Sequence, residues 1–283
     1  MAGDCTAADR LTEPFARRFA AVRAAQGPLV FGLDPSADLL EWWGLGDSAD
    51  GLDRFADIVL AAADGPVGLV KPQSAFYERH GWRGIKTLQR LMASARASGL
   101  LAILDVKRGD VGSTNEAYAE AYLGKGAPLA ADAITVHPYL GLAAMDAFMS
   151  RATGSGSCLL VVTRSSNPEG RAVQAGAEQQ LLEDIGALNA RLAPGAIGPI
   201  GAVVGPARLQ PALDLAAANC LFLAPGVGVQ GASPADVAHV FAACPDRVMP
   251  SASRSLLQAG PDVSRLRDAV SALAAEFRAV LAC

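Results

Sequence analysis

The sequence predicts an α/β barrel of eight parallel strands with helices packed around them. Apolar, strand-like runs alternate with helical patterns about eight times along the chain, an order typical of parallel strands with covering helices. The length of 283 residues suits one (β/α)8 barrel. A doubly wound open sheet is the alternative, but no G-x-G-x-x-G sequence opens a helix after the first strand. Without a linker-like stretch or composition break, residues 1–283 are expected to form a single domain.

The first half of the chain predicts an N-terminal helix and four strands. The helix is expected from Leu11 to Ala25, with Pro14 in its first turn, where a missing N–H is tolerated. Short apolar runs bounded by turn residues predict strands at Pro28–Asp34, Val67–Pro72, Leu100–Lys107 and Ala133–Pro138. Intervening patterns predict helices at Asp53–Ala63, Gly84–Ser98 and Thr114–Leu123, with a fourth ending at Ser150. Ser113 or Thr114 could cap the third of these.

The second half repeats the alternation. Strands are expected at Ser157–Thr163, Ile200–Gly205, Cys220–Ala224 and Arg247–Ser251. Helices are expected at Glu178–Leu192, Asp236–Ala243 and Val263–Ala282, with a short helix opened by Pro206. Pro250 should make the eighth strand short or irregular because proline lacks a backbone donor.

Composition narrows the function classes. A net charge of −4 without a basic block gives no indication of binding to nucleic acid or anionic membranes. No apolar stretch is long enough to cross a bilayer, and the N-terminus lacks a signal pattern. Five scattered cysteines without metal-ligand spacing favour free thiols in a reducing cytoplasm.

The most informative stretch follows the third strand. If that strand continues through Asp105 and Lys107, their side chains share one face. Gly109 then ends the strand, and Asp110 follows on the loop. A buried strand rarely ends in two ionisable residues without cause, although one ion pair beside a solvated turn would also explain the pattern.

Polar residues collect at the other strand ends as well. Active sites of α/β barrels lie at the C-terminal ends of the strands. The residues expected there are Asp34, Lys71, Asp105, Lys107, His137, Ser166, Gln230 and Arg254. Their convergence predicts a site, whereas each residue alone could be structural.

The last two loops predict a phosphate site. Pro225 and Gly226 begin a loop with three glycines, which can bring backbone N–H groups close to an anion. Loops after strands seven and eight commonly bind phosphate in this fold. Arg254, in the loop after strand eight, is the expected charged contact.

These motifs resemble one enzyme family. The stretch Asp105-x-Lys107-Arg108-x-Asp110-Val111-x-x-Thr114 is similar to that of the longer-chain bacterial branch of orotidine 5′-phosphate decarboxylase. Ser166-Asn167-Pro168 and the loop from Pro225 to Gly231 resemble the same branch. The resemblance extends from Phe31 to Arg254 and implies conversion of orotidine 5′-monophosphate to uridine 5′-monophosphate, the last step of de novo pyrimidine synthesis.

The resemblance also implies a role for each residue. By position, Lys71, Asp105, Lys107 and Asp110 form a charged catalytic network, with Lys107 as proton donor. Asp34 and Thr114 match positions that contact the ribose, and Ser166 matches one that contacts the pyrimidine. Pro225, Gly226, Gln230 and Arg254 match the substrate-binding loops, the last two the phosphate grip. The family implies no metal, no organic cofactor, and a homodimer in which Asp110 and Thr114 reach the neighbour's site.

Two alternatives remain at this point. Magnesium-dependent sugar-phosphate decarboxylases or aldolases of the same barrel superfamily also carry Asp-x-Lys-x-x-Asp after strand three. A lysine at the end of strand two would oppose their metal site. A non-catalytic phosphate-binding barrel is the other alternative, and the four-charge network argues against it.

Overall fold

Eight parallel strands close into a barrel in sequential order. The computed structural model describes residues 13–124, 126–165, 167–206, 212–228 and 231–282. The strands are β1 Val30–Leu33, β2 Leu69–Pro72, β3 Leu101–Arg108, β4 Ala133–Val136, β5 Cys158–Arg164, β6 Ile200–Val204, β7 Phe222–Pro225 and β8 Val248–Ala252. Pairing of Val30 with Ser251 joins β1 to β8 and closes the ring. The predicted (β/α)8 fold is therefore confirmed.

Helices follow the strands and cover the outside of the barrel. In the described ranges they are α1 Phe15–Gln26, α2 Ala37–Trp42, α3 Ala49–Ala63, α4 Ala75–Glu78, α5 Gly81–Ala97, α6 Gly112–Tyr122, α7 Asp146–Ser155, α8 Arg171–Gln174, α9 Glu178–Leu192, α10 Pro234–Val240, α11 Arg254–Leu257 and α12 Val263–Val280. The larger hydrophobic core lies between this layer and the outward face of the strands. None of the helices in this part of the chain is long and apolar enough to span a membrane.

Helix α1 closes the barrel at the N-terminal ends of the strands, which we call the lower end. Phe15 and Phe19 are buried against the inner residues of the barrel, among them Val30 and Leu69. Arg18 pairs with the buried carboxylate of Asp132 and donates to the Gly156 carbonyl at 3.0 Å. The chain therefore uses both apolar packing and a buried ion pair to cover this end.

Three local expectations are wrong. Pro14 is the N-cap of α1 and does not lie in its first turn. Helix α6 begins at Gly112, so Ser113 and Thr114 lie inside it; the Asp110 carboxylate instead accepts the Val111 N–H at 2.8 Å. Pro250 leaves β8 five residues long and in register with β7, because one proline removes only one donor from the strand.

Candidate active site

An irregularity in β3 brings Asp105 and Lys107 together. Between the pairs Leu104–Ile134 and Arg108–Val136, β3 advances four residues while β4 advances two. The bulge includes Lys107, whose φ of +44° lies in the left-handed region. Lys107 Nζ nevertheless lies 2.5 Å from Asp105 Oδ1. The two side chains meet as expected, but through a bulge and not through regular strand alternation.

A second lysine approaches the same carboxylate from β2. Lys71 Nζ lies 3.0 Å from Asp105 Oδ2, and both side chains are buried. Lys107 is 43% exposed at its side chain, so its ammonium faces the opening of the barrel. Asp105 thus joins one buried and one accessible cation.

Electrostatic interactions favour the ionised forms of Asp105 and Lys71. Burial alone would raise the pKa of Asp105, but Lys71, Lys107 and hydrogen bonds from Lys107 and Thr135 hold that pKa well below its usual range. Burial alone would lower the pKa of Lys71, but Asp105 and Asp34 raise that pKa above its ordinary value. Asp105 and Lys71 are therefore both charged at neutral pH.

Asp34 directly follows β1 and lines the same cavity. Its Oδ1 atom is buried without a hydrogen-bond partner among the described residues. An unpaired carboxylate oxygen of this kind is costly unless a ligand completes it. Asp34 is therefore suited to accept a hydrogen bond from a ligand hydroxyl.

The cavity at the C-terminal ends of the strands, the upper end, has a volume of about 290 Å³. Its polar lining includes Asp34, Lys71, Gln73, Asp105, Lys107, Thr135, Ser165, Asn167, Ser251, Ser253 and Arg254, and Pro225 and Gly226 complete it on the side of β7. This size and mixture suit a small polar molecule. Ser166 and Gln230, which the sequence also assigns to the site, lie outside the described residues.

The β7 and β8 loops present one cation to the cavity. Arg254 is the exposed first residue of α11, and its guanidinium makes no hydrogen bond or ion pair with any described residue. Gly226 has a φ of +94°, which a side chain would strain. The two loops therefore contribute a guanidinium without a partner among the described residues and a glycine whose backbone can come close to a ligand. Both features suit an anion-binding site.

Asp110 and Thr114 do not line this cavity in the described part of the chain. Asn115 is fully buried and holds the Asp110 backbone: its Oδ1 accepts the Asp110 N–H at 2.9 Å, and its Nδ2 donates to the Asp110 carbonyl. Thr114 is exposed on α6, close in sequence to the exposed Val111. Neither of these two predicted site residues is therefore part of the cavity lining of its own chain.

The polar loop after β5 is tied at both ends. Arg164 forms a buried two-point pair with Glu178 at the start of α9, with Nε and Nη2 each 3.0 Å from a carboxylate oxygen. Gln174 Oε1 accepts the Ser165 N–H at 2.9 Å. These contacts hold the segment that brings Ser165 and Asn167 to the cavity.

His137 has a structural position. Its backbone N–H donates to the Arg108 carbonyl at 2.8 Å, and the side chain is exposed. A Cβ at Gly109 would lie 2.6 Å from the His137 carbonyl oxygen, which explains the glycine after Arg108. Partial burial, and then the charge of Lys107, lower the pKa of His137. The side chain is not among the described residues that line the cavity.

Sequence reasoning missed several lining residues, and Gln73 and Thr135 show two different reasons. Gln73 directly follows the Lys71-Pro72 strand end, so its position was a usable signal. Thr135 looks like an ordinary β-branched strand residue, and its contact with Asp105 depends on the β3 bulge. Nothing in the local sequence around Thr135 indicates that bulge.

A second, shallower cavity of about 620 Å³ adjoins the first and shares Asp34 and Arg254 with it. Trp42 lies on its rim with 59% of its surface exposed. The neighbouring Trp43 is buried and donates from Nε1 to the Leu257 carbonyl at 3.2 Å. Of these adjacent tryptophans, only Trp43 is a packing anchor.

The chain resembles known proteins over nearly its whole length. Residues 27–269 match the profile of the orotidine 5′-phosphate decarboxylase / HUMPS family. The Salinispora arenicola orotidine 5′-phosphate decarboxylase is 46% identical over 276 residues, covering 95% of this chain and 99% of that one. The Myxococcus xanthus protein of the same name is 43% identical over 278 residues, covering 94% and 96%.

Solved structures show the same relationship. A Streptomyces avermitilis protein of known crystal structure is 44% identical, with a TM-score of 0.91 and coverage of 96% of this chain and 97% of that one. The Leishmania donovani OMP decarboxylase is 22% identical, with a TM-score of 0.72 and coverage of 95% and 99%; this likeness concerns the fold.

Proposed function

The chain belongs to the orotidine 5′-phosphate decarboxylase / HUMPS family, and from this premise we propose that it decarboxylates orotidine 5′-monophosphate to uridine 5′-monophosphate. The observation that carries the proposal is the Lys71–Asp105–Lys107 array at the upper end of the barrel. It offers a fixed, accessible cation beside a cavity with many polar lining residues.

In this reaction the bond between the pyrimidine ring and its carboxylate breaks, and CO₂ leaves. The electron pair stays on a vinylic ring carbon that delocalises it poorly. The Lys107 ammonium stabilises that charge and then transfers a proton to the carbon. Solvent returns a proton to the lysine. Asp105 holds Lys71 and Lys107 in place and favours the charged form of Lys71.

The remaining residues bind the substrate in this proposal. Asp34 accepts a hydrogen bond from a ribose hydroxyl, consistent with its unpaired buried oxygen. Ser166 contacts the pyrimidine. Arg254 binds the phosphate together with Gln230 and the loop that begins at Pro225 and Gly226. Binding energy from a phosphate that does no chemistry can still position the base for reaction.

We propose further that the enzyme is a homodimer with shared sites. Asp110 and Thr114 do not line their own chain's cavity, and Val111, Tyr139 and Leu140 expose apolar surface in the neighbouring loops. A second copy of the chain would cover this surface and receive Asp110 and Thr114 in its own cavity.

Mixing inactive Lys107→Ala and Asp110→Ala chains tests this arrangement. Random exchange should restore about a quarter of wild-type activity, because half of the dimers are mixed and each has one complete site. If proven subunit exchange restores nothing, Asp110 acts in its own chain.

The reaction needs no metal or organic cofactor in this proposal. The ammonium groups of Lys71 and Lys107 contact both oxygens of Asp105 and would repel a divalent cation at these oxygens. A magnesium-dependent sugar-phosphate enzyme would need those oxygens for the metal. Retention of full activity after EDTA treatment and dialysis would support the metal-free reaction, and loss restored by Mg²⁺ would contradict it.

An absorbance assay for loss of orotidine 5′-monophosphate tests the activity directly. The expected result is multiple turnovers with uridine 5′-monophosphate and CO₂ as products in equal amounts. Binding of the nucleotide without turnover would identify a non-catalytic phosphate-binding barrel instead.

A further inference from the structure

Thr135 lies opposite the β3 bulge that contains Asp105 and Lys107. It is the one β4 residue between Ile134 and Val136, the positions at which pairing with β3 stops and resumes. Its side chain is 1% exposed. The regular ladder is interrupted at this position, so a side chain can replace a backbone partner.

The hydrogen bonds of the Thr135 hydroxyl have fixed directions. The Lys107 backbone N–H can only donate, and its nitrogen lies 3.0 Å from Thr135 Oγ1. The ionised Asp105 carboxylate can only accept, and its Oδ1 lies 2.7 Å from the same oxygen. The hydroxyl therefore accepts from the backbone of Lys107 and donates to the side chain of Asp105.

This contact supports an unusual backbone conformation. A left-handed non-glycine residue persists only where its surroundings hold it. Lys107 has a φ of +44°, and its N–H is satisfied by Thr135 in place of a strand partner. One hydroxyl thus links the backbone of the lysine to the carboxylate that its ammonium contacts.

We propose that Thr135 is a positioning residue, which holds the Asp105 carboxylate and the Lys107 backbone so that the Lys107 ammonium reaches the reacting carbon. The inference rests on the proposed decarboxylation. It assigns Thr135 an effect on the chemical step and only a minor one on nucleotide binding, because its hydroxyl already serves Asp105 and Lys107.

Two substitutions test this role. Thr135→Val removes the hydroxyl at nearly constant volume, and Thr135→Ser keeps it. Loss of a hydrogen bond to a charged group predicts a decrease in kcat of about tenfold to a hundredfold for Thr135→Val. KM and the Kd of uridine 5′-monophosphate should stay within about twofold, and Thr135→Ser should recover most of kcat.

Thr87→Val is the matched control. Thr87 is also buried and also donates from its hydroxyl to an aspartate, Asp53 at 2.8 Å, but it lies on α5 outside the cavity. This variant should lower Tm by an amount similar to Thr135→Val and leave kcat unchanged.

Each remaining outcome is decisive. Equal kcat values for Thr135→Val and Thr87→Val would show that Thr135 has only a structural role. A loss that falls mainly on KM and on the Kd of uridine 5′-monophosphate would make it a substrate contact. Failure of wild type and Thr87→Val to consume orotidine 5′-monophosphate would instead reject the proposed function, and the inference with it.

Discussion

The two ends of the barrel each contain a buried arginine–carboxylate pair, and the cavity lined by Asp34, Asp105 and Arg254 opens at the upper end. At the lower end Arg18 of α1 and Asp132 bind each other and nearby backbone groups. Phe15 and Phe19 of the same helix are buried at this end. At the upper end Arg164 and Glu178 are equally buried. Buried ion pairs therefore do not distinguish a functional end from a structural one.

The functional end is distinguished by polar groups that can still bind a ligand. The Lys107 ammonium, the Arg254 guanidinium and one oxygen of Asp34 are available at the upper end. A buried polar atom without a partner, such as the Asp34 oxygen, is costly in a fold, so it persists where a ligand completes it. The comparison predicts that changes at the upper end alter activity, whereas changes at the lower end alter stability alone.

The largest effect is expected for Lys107→Ala. In the proposed reaction it removes both the stabilising charge and the proton donor, so turnover should fall by at least about four orders of magnitude. Steady-state assays would measure the loss, with Lys86→Ala, an exposed lysine on α5, as the control. A variant with a tenth of wild-type turnover would contradict the role of Lys107 as proton donor.

The two buried ion pairs give the sharpest contrast. Glu178→Gln and Asp132→Asn each leave a buried arginine without its charged partner, so each should lower the free energy of unfolding by about 3–5 kcal/mol. Only Glu178→Gln should also lower kcat/KM, because Arg164 precedes the loop that carries Ser165 and Asn167. Denaturant unfolding and kinetics below the transition would measure both quantities. Equal loss of kcat/KM in both variants would abolish the contrast between the ends.

Arg254→Ala should have an intermediate effect that depends on the substrate. A charge-assisted phosphate contact is worth about 1.5–3 kcal/mol, roughly a tenfold to hundredfold loss of kcat/KM on orotidine 5′-monophosphate. The phosphate-free nucleoside lacks the group that Arg254 is proposed to bind, so kcat/KM on the nucleoside should barely change. Equal losses on both substrates, with a lowered Tm, would place the phosphate contact elsewhere.

The smallest effect concerns pH. Because the folded pKa of Asp105 is lowered from 3.8, its ionised form stabilises the fold above that pH, and the contribution is lost as the pH falls through the folded pKa. Because the pKa of Lys71 is raised from 10.5, its contribution is present below that value and is lost only as the pH rises through the folded pKa. Asp105→Asn should therefore destabilise the protein evenly from pH 5 to 9 and by less below pH 3.8. Urea unfolding across this range would measure the difference, and a deficit that narrows near neutrality would contradict the assignment.

Much of this architecture is predictable from sequence because strand ends in a barrel converge. The apolar runs before Lys71 and Asp105 locate two strand ends, and parallel strands bring those ends to one rim. The structure accordingly places the ammonium groups of Lys71 and Lys107 against the same carboxylate, that of Asp105. The same reasoning identifies Asp34 and Arg254, which line the same cavity, and the family resemblance adds a role for each.

Other features depend on pairing that local sequence does not reveal. The β3 bulge arises from the register between β3 and β4, so alternation could not predict the left-handed Lys107 or its contact with Thr135. The start of α6 differs from the predicted cap at Ser113 or Thr114 for a related reason. Asn115 looks like a helical residue, yet its side chain holds the loop of Asp110 and shifts the helix start to Gly112.

The exposed indole of Trp42 gives the protein a spectroscopic probe of its own. The other tryptophans lie elsewhere, with Trp43 packed in the core and Trp82 beside Arg83 at the start of α5. Only Trp42 shares a cavity with Arg254. Occupation of the proposed phosphate site should therefore change tryptophan emission mainly through this residue, so that ligand binding could be followed in real time without an attached dye.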